Sequence, residues 1–521
     1  MGGRAAAHRD GARPRAVRDQ HGRRPPGEFG AVRPAPADGP VLGLRGPVRW
    51  TEPGVKLDQA IEIGRLDAHD QAALVRRGEL SGAELVETAI QRIEALDGAL
   101  ASVSWRAFDQ ARARAAALPK DAPMAGVPWL VKDSLDYPEQ PSRAGSRSRD
   151  LRPATGAYPF AQTWDAAGLV AVGKSAMPEF GLLPTTEPLS AAATRNPWSL
   201  GYSPGGSSGG AGAALAAGLV PLAHGSDGAG SIRIPASCCG VVGLKPGRGA
   251  TVRARARSLV EDLLVGDSLM SRSVRDVSWA FAASHVDPAH LAPPPGRRLR
   301  IALSVEGLHP GPVHPEARAA AEAAAELCAS LGHEVEAAAP VFDRPAALEA
   351  MHVLWALDAA EAAAAVRASG QDPSAVLEPW TCALEARAEH VSPLQLEAAL
   401  RVAAELPHPL AAFHARYDVM LTPTLTAPPP RLGEITGAKP ADELFERMFG
   451  WLSFTILQNL AGTPAISLPL AWSPQGLPVG VMFAAARGGE LLLLDLAREL
   501  EAAAPWAGRW PQGASHAAAA G

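Results

Sequence analysis

Two short stretches of this chain set serines among glycines. "GGSSGG" runs from Gly205 to Gly210, and "HGSDGAGSIRIP" runs from His224 to Pro235. Either alone reads as a turn, since Gly and Ser together make flexible connections. Read with Lys132, which closes the apolar run "GVPWLVKD" (Gly126 to Asp133), they become a set that could react. A serine hydroxyl is a weak nucleophile until a base removes its proton. Lysine is such a base only when its amine is neutral, a state that burial favours. Ser231 then reads as a nucleophile, Lys132 as a base, and Ser207 as a relay for the proton. Small residues at a helix start free backbone N–H groups, which suit a developing oxyanion. The second stretch thus supplies nucleophile and oxyanion cradle in one piece.

Two other motifs compete for the chemistry. "GLVAVGKS" (Gly168 to Ser175) matches the phosphate-loop pattern GxxxxGK[ST]. That loop should follow a strand and wrap phosphate with exposed backbone N–H groups. Here the intervening Leu, Val, Ala and Val are strand residues, and Pro178 follows three residues after Ser175. Lys174 is therefore expected to end a strand and Ser175 to lie in a turn. "GGSSG" also satisfies the GxSxG pattern of a nucleophile elbow, which needs a strand directly before the serine. "RNPWSLGYSP" precedes it instead, rich in turn formers. His285, His290 and His309 lie in loop-like text and make poor triad partners. His224 reads as structural.

The elements that must position Lys132 and the serines follow from the hydrophobic pattern. "GVPWLVKD", "GLVAVGK" and "GLVPLAHGSD" read as buried strands. "GVVGLKP", "RIALSV", "HEVEAAAP", "DVMLTPT" and "PAISLPL" read as further strands. Ala-rich helical runs such as "EARAAAEAAAELCASLG" lie between several of them. Ser81 and Glu84 form a capping-box pattern, after which Leu85, Ala89, Ile93 and Leu96 repeat at helical spacing. Strands alternating with helices predict an α/β fold, a central mixed β-sheet covered by helices on both faces. The stretch from Ala346 to His408 has few strand signals and is expected to be a helical cover. Trp355 in that stretch, and Phe449, Trp451 and Phe454 in "FERMFGWLSFTILQN", could line an apolar acyl pocket or belong to the core.

Composition bounds the reading. The chain has 521 residues, 47% hydrophobic and 20% charged, enough to build a large enzyme core. A net charge of -5 argues against a nucleic-acid surface spread over the whole protein. Cys238, Cys239, Cys328 and Cys382 have neither zinc nor disulfide spacing, which fits a reducing cytoplasm. The longest apolar run, Ala211 to Ala223, is short and broken by Pro221, so no membrane span is expected. The first fifty residues hold ten Arg, no Lys and no Ser. Residues 1–50 are read as a disordered extension, 51–511 as a single domain, and 512–521 as a disordered tail.

"GGSSGGAGAALAAGLVPLAHGSDGAGSIRIPASCCGVVGLKP" (Gly205 to Pro246) closely resembles the signature block of the amidase signature family. "GVPWLVKD", "GKSAMPEFG", "NPWSLGYSPGGSSGG", "LTPT" and "NLAGTPAISLPL" resemble its flanking blocks in the right order. The likeness spans about Lys56 to Pro511, and it leans toward the bacterial branch that includes aminohexanoate cyclic-dimer hydrolase. The resemblance implies a Ser–Ser–Lys triad with Ser231 as nucleophile, Ser207 as bridge after a cis Gly206–Ser207 peptide, and Lys132 as base. It places the oxyanion hole on the backbone N–H groups of Gly228, Ala229, Gly230 and Ser231. Ser208 is expected to support Lys132, while Asp227 and Arg233 brace the loop, Arg233 being equally readable as an ordinary salt-bridge residue. Many relatives have Gly where this chain has Ala229, and a methyl there would strain the cradle if the position needs positive φ.

The expected activity is a serine amidohydrolase that cleaves a linear or cyclic carboxamide through an acyl-enzyme, with no metal and no cofactor. The alternative is the glutaminase subunit of a tRNA-dependent amidotransferase. The expected partner is a small-molecule amide, with no nucleic acid and no membrane, and a homodimer is the one assembly considered. Deleting Met1 to Arg49 is expected to leave activity and thermal stability unchanged, because that composition cannot bury a core. A fall of several degrees in Tm would show instead that the arm is docked.

Overall fold

The computed structural model describes residues 55–119, 121–255, 258–291 and 296–512. The 1–50 extension lies outside them, as does the 512–521 tail after its first residue. Strands β1 (Val103–Arg106), β2 (Pro128–Lys132), β3 (Val170–Ser175), β4 (Leu222–Asp227) and β6 (Gly266–Ser271) make one sheet, in the order β1-β3-β2-β4-β6. Strands β5 (Gly243–Lys245), β7 (Arg300–Leu303), β8 (Glu334–Ala337), β9 (Val419–Pro423), β10 (Ala465–Trp472) and β11 (Pro478–Ala485) make a second, ordered β5-β10-β11-β9-β7-β8. Both are mixed. β3, β2 and β4 run parallel, and so do β8, β7 and β9, while the remaining pairs are antiparallel. The expected single sheet is thus drawn as two, linked by a bridge between Val242 and Ser271.

Burial explains why the site-bearing strands form. β2, β3 and β4 are buried at every residue, as parallel strands covered on both faces must be. The Gly82–Leu100 helix starts at the expected capping box, with the Ser81 side chain accepting from the Glu84 N–H. It buries Leu85, Ala89, Ile93 and Leu96 on one face. The expected helical cover contains the Arg344–Ala368, Pro379–Ala388 and Pro393–Glu405 helices. One boundary is corrected: Ser175 is the last residue of β3, paired with Lys132, and does not lie in a turn.

The Gly209–Ala216 helix, which follows Ser207 and Ser208, is buried along its whole length. It lies so near β3 that a Cβ on Gly210 would stand 2.6 Å from the carbonyl oxygens of both Ala176 and Ser102. The glycines of "GGSSGG" therefore serve close approach as well as turning. Gly210→Ala is expected to lower stability by about 1–3 kcal/mol through overpacking. A denaturation midpoint equal to wild type would show that the helix shifts freely.

Candidate active site

Adjacent parallel strands bring the first two groups together. Lys132 closes β2 and Ser226 lies near the end of β4, so both side chains reach the same end of the sheet. The Lys132 amine is buried, 2.7 Å from Ser207 Oγ and 2.8 Å from Ser226 Oγ, with the Ser226 carbonyl at 3.5 Å. Burial pushes this amine down to about 7, the Arg255 guanidinium adds to the push, and Asp267 and Asp227 oppose it. The Gly206–Ser207 peptide is cis. Lys132, Ser207, Ser226 and Ser231 line one cavity of about 550 Å³, within the range that holds small molecules.

Ser226 escapes the sequence reading, although it stands in the quoted "HGSD". The signal available is strand adjacency, which places the end of β4 beside the end of β2. Ser208 does not touch Lys132. Its hydroxyl accepts from the Ser226 N–H at 3.3 Å and lies 3.4 Å from the Ser226 carbonyl, so it reaches the lysine only through Ser226.

The turn between β4 and the Arg233–Cys239 helix is organised by one carboxylate. Asp227 accepts from the backbone N–H groups of Gly230 at 2.7 Å and Ile232 at 3.2 Å. Arg233 donates to it through Nε at 2.8 Å and Nη2 at 2.9 Å, making a fully buried ion pair and no surface bridge. Burial alone would raise the Asp227 carboxyl, but Arg233, with Lys245 and Asn459 behind it, holds it at about 2. Asn459 donates to the Asp227 carbonyl at 2.8 Å, and Thr455 Oγ1 to the Ala229 carbonyl at 2.5 Å. Neither contact is legible in the sequence, since both join residues more than two hundred positions apart.

The oxyanion expectation needs one correction. The Gly230 N–H is engaged by Asp227 and is therefore not free to face substrate. The amides of Gly228, Ala229 and Ser231 make no hydrogen bond to other described residues. Ala229 avoids the left-handed region; Gly230, at φ 128°, takes the conformation that only glycine tolerates. The extra methyl thus falls where it costs the backbone nothing.

The remaining candidates separate cleanly. Trp355 lines the cavity, whereas Phe449 and Trp451 are buried in the core and Phe454 borders a different, smaller space. His224 is buried against Asp267 at 2.9 Å and is structural. Lys174 donates to the Leu135 carbonyl at 2.5 Å and to Ser142 Oγ at 2.9 Å, inside the fold and away from any phosphate loop.

Most of the chain is similar to known proteins. The amidase family model matches residues 84–494. A 6-aminohexanoate-cyclic-dimer hydrolase of Pseudomonas sp. (strain NK87) is 37% identical over 483 residues, which is 86% of this chain and 96% of that protein. The solved structure of 6-aminohexanoate cyclic dimer hydrolase complexed with substrate matches at a TM-score of 0.79 and 34% identity, covering 87% of this chain and 99% of that one. A glutamyl-tRNA(Gln) amidotransferase chain of Thermotoga maritima stands further off, at a TM-score of 0.68 and 26% identity over 86% and 97% of the two chains. Fold and likeness together define an amide-hydrolysing enzyme. The chain belongs to the amidase family.

Among the described residues no helix is long and apolar enough to cross a membrane. With Lys174 bound inside the fold, ATP is expected neither to bind nor to raise Tm through ligand linkage. Saturable ATP binding that Lys174→Ala removes would restore the phosphate-loop reading.

Proposed function

We propose that Ser231 attacks the carbonyl carbon of a carboxamide, that Ser207 relays its proton to a neutral Lys132, and that turnover passes through an acyl-enzyme ester. The observation that carries this reading is the 2.7 Å contact of Lys132 Nζ with Ser207 Oγ, inside the cavity that Ser231 also lines. A neutral amine has two N–H donors and one lone pair. The Ser226 hydroxyl and carbonyl oxygens can take the N–H groups. The lone pair then faces the Ser207 hydroxyl, as a base must.

In the forward step the Ser231 proton passes to Ser207 as the Ser207 proton passes to Lys132. The new oxyanion lies against the amides of Gly228, Ala229 and Ser231. Collapse of the tetrahedral adduct returns the proton along the same path to the departing nitrogen, so that an amine leaves and an ester remains on Ser231. Water then attacks the ester with the same base, releasing the acid. The amidotransferase reading is the weaker one, because likeness to that protein is lower. The purified chain alone is expected to hydrolyse simple linear or cyclic amides.

Ser231→Ala is expected to abolish acyl-enzyme formation, seen as loss of the covalent mass shift with an activated substrate. Ser207→Ala is expected to lose about 10²–10⁴-fold in kcat/KM. Lys132→Ala is expected to lose at least as much on an amide but far less on the matching aryl ester, whose phenolate leaves without a proton. Lys132→Arg should not rescue, since guanidinium stays charged. The base works only when neutral, so kcat/KM rises as pH rises through the lysine ionisation, at about 7. Equal losses on ester and amide in Lys132→Ala would count against a shared base and acid. A fully active Ser231→Ala would sink the assignment.

A further inference from the structure

A buried lysine stays neutral only while nothing close by stabilises its charge. Two buried carboxylates stand near Lys132 and do stabilise it. Asp227 follows Ser226 along β4, and Asp267 faces Ser226 across the β4–β6 ladder. Each is matched by a buried arginine. Arg233 closes on Asp227 through two nitrogens, at 2.8 and 2.9 Å. Arg255 closes on Asp267, with Nη2 donating to Oδ1 at 2.6 Å.

Arg233 belongs to the signature block, but Arg255 lies beyond it, in the connection between β5 and β6. Its side chain is only 8% exposed and borders the catalytic cavity. Among the described residues, the other titratable or charged groups at this cluster and its cavity are His224, Glu261, Asp358, Glu361 and Arg149. His224 Nε2 meets Asp267 Oδ1 at 2.9 Å, its ring kept uncharged by burial. Glu261 lies 3.7 Å from Arg255 Nη1, Ser134 Oγ lies 3.4 Å from it, and Asp358 adds a carboxylate on the cavity side. Arg255 is thus the cation placed to take up the field of Asp267.

We propose that Arg255 is a positioning residue of the catalytic base: by pairing with Asp267 it prevents that carboxylate from fixing Lys132 as an ammonium ion, and so leaves the amine available to Ser207. The inference rests on the assignment of Lys132 as base. It makes Arg255 and Asp267 a second version of the Arg233–Asp227 pair, set on the opposite strand.

The test is kcat/KM against pH on a neutral amide such as acetanilide, for wild type, Arg255→Gln, Arg255→Lys, Asp267→Asn and the double variant Arg255→Gln/Asp267→Asn. Removing the guanidinium leaves Asp267 acting on Lys132, so the acid limb of Arg255→Gln is expected to move up by about one pH unit or more. Activity at neutral pH then falls about tenfold and returns at high pH. Arg255→Lys keeps the charge and is expected to lie near wild type. Asp267→Asn is expected to move the limb down, and the double variant to bring it back. A uniform loss of kcat with the acid limb fixed would mean a structural role and overturn the proposal. A raised KM with the limb fixed would mean substrate contact and overturn it equally. If Arg255→Gln does not fold, the opposed limbs of Asp267→Asn and the charge-balanced double variant still decide it. Lys132→Ala with wild-type activity would overturn the base assignment itself, whereas an essential Lys132 with an unmoved limb removes only the role of Arg255.

Discussion

The structure is built around an amine that has been taken out of water. Lys132 Nζ has hydroxyl and carbonyl oxygens as its near neighbours, and no carboxylate is among its hydrogen-bond partners in the described residues. That choice of partners matters, because a direct carboxylate contact would hold the side chain as an ammonium ion, and an ammonium ion cannot accept a proton. Hydroxyls orient the nitrogen without charging it. Two parallel strands supply the arrangement, since β2 delivers the lysine and β4 the serine at the same end of one sheet. The glycine-lined helix start that carries Ser207 can come this close only because its neighbours lack side chains.

A second constraint follows from the first. The turn that carries Ser231 leaves the amides of Gly228, Ala229 and Ser231 without a hydrogen bond to other described residues. Asp227 supplies the fixing point by accepting from Gly230, Ile232 and both the backbone and side chain of Arg233. The charge this requires is itself buried, and removing either partner of such a pair typically costs about 3–5 kcal/mol. Arg233 is therefore the counterion that lets a buried carboxylate shape this turn.

Much of this is legible in the sequence, for identifiable reasons. β2, β3 and β4 announce themselves by short apolar runs at or just before their starts, as parallel strands covered on both faces do. The Gly82–Leu100 helix carries its start signal in Ser81 and Glu84. β1 escapes because it has four residues and alternates between half-buried and exposed. β6, "GDSLMS", escapes because its polar residues are buried and satisfied: Asp267 by Arg255 and His224, Ser271 by contacts with Pro221 and Asp276. Sequence spacing carries no trace of such pairings. The same applies to Asn459 and Thr455, which brace the turn from far along the chain. Ser226 is readable in principle, from the register of neighbouring strands.

The residues that line the cavity divide by the element that carries them. The floor of the cavity is made by strand ends and glycine turns, whose residue types are dictated by backbone geometry. Its wall is one face of the Arg344–Ala368 helix, where Trp355, Asp358, Ala362 and Ala365 recur at helical spacing. On a helix wall most side chains other than Gly and Pro suit the backbone, so local geometry leaves the choice wide. The same face continues past Ala362 and Ala365 into an adjoining cavity of about 1020 Å³ that also borders Arg149 and Phe180. Ala362 and Ala365 line both spaces. Strand ends and glycine turns thus form the floor of the cavity, and the helix face supplies the side chains that bound the space beside it.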